Sequence, residues 1–125
     1  MHEYPITLVI IRIAEKAARE GKASRVSKVS LVIGDLSGYV GDSVNMYFEE
    51  ISKGTMCECA DLEIRRIRPQ VLCAGCGKTF ERKPFLYTCP ECGGEARPTK
   101  IGTEFYIDHI EVENDNPEGE EHGKN

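Results

Sequence analysis

The 125 residues carry 16 Lys and Arg against 21 Asp and Glu, a formal net charge of −5, and 40% of them are hydrophobic. That length suits one compact core plus a small lobe rather than two full domains, and the acidic balance gives a whole-molecule field that repels nucleic acid. No apolar run approaches the roughly 20 residues needed to cross a bilayer, and no basic stretch followed by an apolar signal segment opens the chain, so the expected compartment is the cytoplasm, where thiols stay reduced.

Residues 6 to 20 read as an amphipathic helix with Ile6, Val9, Ile10, Ile13, Ala14 and Ala17 on one face. Pro5 sits where a first turn tolerates a missing amide, and Gly21 follows as a stop. Val29, Leu31 and Ile33 alternate with Lys28, Ser30 and Val32, the period of a strand covered on one side, and Gly34-Asp35-Leu36-Ser37-Gly38 breaks it. A second helix is expected from about Ser43 to Lys53, with Val44, Tyr47, Phe48 and Ile51 at helical spacing, Asp42 or Ser43 as cap and Gly54 as its end. Asp61 to Arg68 and Thr103 to Val112 read as two further strands, Pro69 closing the first of them. Cys57 and Cys59, in the turn before the second strand, read as two ordinary thiols, with an accessory metal or redox site as the alternative.

Between the second and third strands lie Cys73-Ala-Gly-Cys76-Gly77 and Cys89-Pro-Glu-Cys92-Gly93. A Cys-x-x-Cys turn aims two thiolates at one point, and two such turns complete a tetrahedral four-sulfur shell that suits zinc, or less often an iron-sulfur cluster. A closed four-thiolate site has no open position for water or substrate, so its expected role is structural.

The fold class that follows is α/β, a small three-stranded sheet covered by two helices with an inserted four-cysteine zinc-ribbon lobe. The expected division is an α/β domain of residues 1–68 plus 101–113, a zinc-binding domain of 69–100, and an acidic disordered tail of 114–125 in which His122 is a bystander. The insert region is locally basic, through Arg65, Arg66, Arg68, Lys78, Arg82, Lys83, Arg97 and Lys100, while Phe80, Phe85 and Tyr87 are expected to form the small lobe's own core.

Met1-His2-Glu3 offers one metal an imidazole, a backbone nitrogen, an α-amine and a carboxylate, a nitrogen-rich donor set suited to Ni(II) or Cu(II). Met1-His2-Glu3, Ile33-Gly34-Asp35-Leu36-Ser37-Gly38, Lys53-Gly54-Thr55, the two cysteine pairs and Ile110-Glu111-Val112-Glu113, taken in order, resemble the HypA/HybF family of nickel metallochaperones for nickel-iron hydrogenase, some of which also serve urease. The resemblance implies a non-enzymatic carrier with Ni(II) as transferred cargo at His2, Glu3 and the Met1 amine, and a distant structural Zn(II) on Cys73, Cys76, Cys89 and Cys92. It implies as partners a HypB-type GTPase and a hydrogenase large-subunit precursor, with urease maturation proteins as further candidates and a homodimer left open. Some relatives bring a further acidic side chain to nickel, but an ungapped count from Ile33-Gly34 places Val40 there, with Asp42 the nearest carboxylate. The competing readings are a zinc-ribbon adaptor for nucleic acid or a protein assembly, and a zinc- or thiol-dependent enzyme. Against the enzyme stands the absence of histidine between the cysteine pairs; His109, in the last strand, reads as a structural residue.

Overall fold

The computed structural model describes residues 3–114; Met1 and His2, and the segment from 115 onward with His122, lie outside the described residues. Within that span the order is α1 (Glu3–Glu20), β1 (Arg25–Gly34), α2 (Gly41–Ile51), β2 (Asp61–Ile67), β3 (Gln70–Cys73), β4 (Thr79–Glu81), β5 (Ala96–Pro98) and β6 (Phe105–Glu113). The fold is α/β, two helices with two three-stranded sheets ordered β2-β1-β6 and β4-β3-β5. Among the described residues one compact unit takes 3–31, 39–65 and 107–114, and a second takes Val32–Gly38 and Arg66–Tyr106, so that 69–100 falls wholly within the second.

In the first unit α1 and α2 pack together, and Tyr4 meets Tyr47 with ring centroids 5.6 Å apart and planes tilted by 38°. The buried face of α1 is Thr7, Ile10, Ile11, Ala14 and Ala18, while Val9 and Ile13 are 42% and 51% exposed. The expected face was therefore rotated by one position. Ile10 and Ala14 belong to both candidate faces, and the residues that decide between them include Thr7 and Ala18, whose weak hydrophobicity hides the outcome. The Thr7 hydroxyl avoids an unsatisfied burial by donating to the Glu3 carbonyl one turn earlier.

Expected one-sided alternation also fails in β1, where every residue from Val29 to Gly34 is buried. The strand is central in its sheet, and long side chains from both neighbours close over the face expected to be open. Ser30 donates its hydroxyl to Glu63 of β2 at 3.1 Å and lies 3.2 Å from Nε2 of His109 on β6. Helix α2 begins at Gly41, earlier than expected, with Val40 as N-cap and no side-chain cap of its own, so neither Asp42 nor Ser43 serves that role. Val44 and Phe48 are its buried residues.

In the second unit β3 pairs antiparallel with both β4 and β5, matching Val71 to Phe80 on one side and to Pro98 on the other. Gly34 explains the break after the first strand: a Cβ there would stand 2.1 Å from the Gly102 carbonyl oxygen, so the close backbone approach admits only glycine. Asp35 then takes a two-point ion pair from Arg66, Nε to Oδ1 at 2.6 Å and Nη2 to Oδ2 at 3.0 Å. The expected aromatic core of the lobe is not formed as such. Phe80 is half-buried, but Phe85 is 87% and Tyr87 70% exposed, because a lobe this thin is closed by its sulfur cluster and short strands rather than by large side chains.

Candidate metal centre

Two turns of the same construction bring the four cysteines together. Cys73 ends β3, its amide bonded to the Lys78 carbonyl at 2.8 Å, and the Gly77 amide returns to the Cys73 carbonyl at 3.0 Å. In the second turn the Cys89 amide bonds to the Gly94 carbonyl at 2.8 Å and the Gly93 amide to the Cys89 carbonyl at 2.9 Å. Gly77 and Gly93 have φ of +78° and +77°, the left-handed step that closes each turn. The amides of Gly75 and Cys76 point at Cys73 Sγ, both at 3.3 Å, and that of Glu91 at Cys89 Sγ at 3.4 Å.

All four sulfurs lie within 4.8 Å of one another, with Cys73 to Cys92 at 3.3 Å and Cys76 to Cys89 at 3.9 Å. Metal–sulfur bonds of about 2.3 Å in a tetrahedron put sulfurs about 3.8 Å apart, so the donor set fits one tetrahedral ion. The cradle is tight. A Cβ on Gly94 would meet Cys73 Sγ at 2.7 Å and the Gly75 amide nitrogen at 3.0 Å. Cys73 and Cys89 are buried, Cys76 and Cys92 exposed. The Cys76 amide, followed by the Cys92 thiol and the Gly75 amide, draws the Cys73 pKa below the thiol range, and Cys92, donating to Cys73, is pushed above it. Cys73 is thus available as thiolate before its partner Cys92.

At the other candidate site, His2 and Met1 lie outside the described residues, and Glu3 is the first residue of α1. Glu3 is only 7% exposed, and its Oε2 accepts the Val40 amide at 3.0 Å. That bond, ahead of every other cause, holds its carboxyl down to about 2. Val40 is the N-cap of α2, so a side chain from α1 does for α2 what the third-position glutamate of a capping box does within a single helix. Sequence reasoning missed this function of Glu3, since nothing local links positions 3 and 40. The carboxylate of Asp42 is exposed in the first turn of α2, and Val40 takes part through its backbone.

Cys57 and Cys59 do not share a side. The stretch is a run of turns, Glu58 bonding back to Thr55 and Ala60 to Cys57, which leaves Cys57 buried and Cys59 exposed at φ +66°. Burial pushes the Cys57 thiol up to about 11, the opposite of activation. His109 bonds to Asp108 through Nδ1 at 2.9 Å and approaches Ser30 through Nε2, but the Ser30 hydroxyl donates to Glu63, so these four residues hold the sheet surface together. Of the basic residues around the lobe, Arg66, Arg68, Lys78 and Arg97 are each within ion-pair distance of a carboxylate.

An α/β unit with a four-cysteine cluster and no histidine within it defines a protein with a closed, structural-type metal site. The family model described as "Hydrogenase/urease nickel incorporation, metallochaperone, hypA" matches residues 1–112, and the chain belongs to this family. Its members are maturation factors rather than enzymes. Curated relatives named hydrogenase maturation factor HypA include one from Caldanaerobacter subterraneus, 40% identical over 90% of this chain and 100% of the relative, and one from Dehalococcoides mccartyi, 42% identical over 92% and 97%. Among solved structures, the solution structure of the Ni metallochaperone HypA from Helicobacter pylori superposes with a TM-score of 0.60 at 22% identity, covering 90% of this chain and 98% of that one. A second, titled solution structure of HypA protein, gives 0.65 at 24% identity, covering 90% and 96%. These two likenesses speak for the fold. Among the described residues no helix is long and apolar enough to cross a membrane.

Proposed function

We propose that this protein binds Ni(II) at its N-terminus and delivers it during maturation of a nickel-iron hydrogenase, with one Zn(II) held structurally by Cys73, Cys76, Cys89 and Cys92. The observation that carries the reading is the match of residues 1–112 to a nickel-incorporation family in a chain whose sequence has His2 directly before Glu3. His2 would bind as a neutral imidazole, its own amide nitrogen and the Met1 amine closing adjacent chelate rings, with Glu3 adding a carboxylate. A carrier needs such a site, made of few residues at a chain end, because ligands can then be surrendered one at a time to an acceptor. When bound, zinc cross-links two turns and thereby fixes a lobe too small to fold on apolar burial alone. GTP hydrolysis must come from another chain, since no Gly-x-x-x-x-Gly-Lys-Ser/Thr pattern occurs here; a HypB-type GTPase and the hydrogenase large-subunit precursor are the partners this reading assigns, in the cytoplasm, with urease maturation proteins as further recipients.

Equilibrium dialysis against Ni(II), comparing the native chain with His2→Ala, is the test. Loss of nickel binding with unchanged zinc content is expected; equal nickel uptake by both would refute the site. Because imidazole must be neutral, with an ordinary pKa near ~6.5, affinity should weaken as pH falls below that value.

A further inference from the structure

The second unit carries a concavity of about 700 Å³ between the cysteine lobe's outer loop and its sheet, whose walls include Pro69, Val71, Phe85, Tyr87 and Pro98. Its charged residues are Arg82, Lys83 and Arg97, and none of the residues lining it is acidic. Arg97 is 3.8 Å from Glu95, a loose pair at the surface, and Arg82 and Lys83 have no carboxylate partner among the described residues. In a chain of net charge −5, a wall with three cations and no acid is a local reversal of sign.

The loop holding Phe85 has a second peculiarity. The Leu86 amide bonds to the Lys83 carbonyl at 3.2 Å, so Lys83-Pro84-Phe85-Leu86 is a tight turn, and Phe85 occupies its third position at φ +64°. That position calls for glycine or asparagine, because a Cβ is crowded at positive φ. A bulky aromatic there strains the backbone, and its exposure means that burial does not offset the strain. The ring instead borders the basic concavity.

We propose that this concavity is a docking groove for an acidic protein segment that also carries aromatic or aliphatic side chains. Carboxylates would pair with Arg82, Lys83 and Arg97, while apolar side chains would pack on Phe85, Tyr87 and the proline walls. Three cations beside apolar walls match a mixed segment better than a polyanion, whose affinity comes from many phosphate contacts. The chain's own acidic C-terminal stretch is almost devoid of apolar side chains after Val112 and would leave the walls unmatched. This inference is independent of the nickel reading.

Fluorescence anisotropy tests it with a fluorescein-labelled peptide in which Glu alternates with Phe and Leu, a control peptide with Lys in place of Glu, and a labelled oligouridylate. Saturable binding of the acidic peptide alone is expected, weakened by salt and reduced at least about tenfold by Lys83→Glu and by Phe85→Gly. Phe85→Gly should at the same time leave metal content intact and keep or raise the melting temperature, since glycine relieves the turn. His2→Ala should leave peptide affinity unchanged. Absence of saturable binding, equal affinity for the Lys peptide, preference for the oligouridylate, or a melting temperature that falls sharply in Phe85→Gly would each overturn the groove.

Discussion

Glu3 shows how much one side chain can carry. Its carboxylate spans from the start of α1 to the N-cap amide of α2, and the negative charge sits at the positive end of that helix. Glu3→Ala should therefore lower the melting temperature of the metal-free protein, and Glu3→Gln, which keeps an acceptor oxygen but not the charge, should lower it less; equal melting of all three proteins would show that the bond contributes nothing. At the cysteine cluster Gly94 has the comparable role. Gly94→Ala places a methyl against Cys73 Sγ and the Gly75 amide, so metal analysis should find substoichiometric metal in that variant. Full retention would mean that the second turn yields more easily than its contacts imply.

At the level of elements, the cysteine turns were readable because their chemistry is local: a fixed spacing followed by glycine specifies the turn whatever surrounds it. The C-terminal end of α1, closed before Gly21, was readable for the same reason, whereas its start at Glu3 lies three residues ahead of the expected one. The buried face of α1 was not, since a shift of one residue keeps Ile10 and Ala14 inside and trades Val9 and Ile13 for Thr7 and Ile11. Nor were β3, β4 and β5, whose three or four residues are too few to establish a period and which exist through their mutual pairing. In α2, Phe48 is fully buried and Met46 exposed. Phe48→Ala should cost about 3–5 kcal/mol in denaturant unfolding, whereas Met46→Ala should stay within about 0.5 kcal/mol. The Asp35–Arg66 pair joins the loop after β1 to β2 inside the second unit, and Arg66, chiefly through its hydrogen bonds, holds Asp35 below its ordinary value of 3.8. A depressed carboxyl stabilises the folded form above its unfolded pKa and loses that contribution as pH falls through the folded one. Acid titration of the native protein should thus show a stability loss below pH of about 4 that Arg66→Ala reduces.

For the molecule as a whole, division into two compact units puts the helices and the cysteine cluster in separate bodies of structure. Since binding free energy is folding free energy in a small metal lobe, stripping the metal with a chelator should release amide protection throughout 69–100 while α1 and α2 keep theirs. Hydrogen exchange with and without chelator reads this directly; uniform loss of protection would mean that the units melt as one. The bond from Glu3 to Val40 has a corresponding thermodynamic consequence for any cation drawn to that carboxylate. An ion that takes the lone pair of Oε2 facing the amide displaces that amide, so its measured affinity is net of that displacement, and the first turn of α2 becomes the place where occupancy is felt. By reciprocity, removing the donor with Val40→Pro frees Oε2 from that amide and should tighten the ion's hold, while in the native chain exchange at the residue 40 amide should quicken on loading.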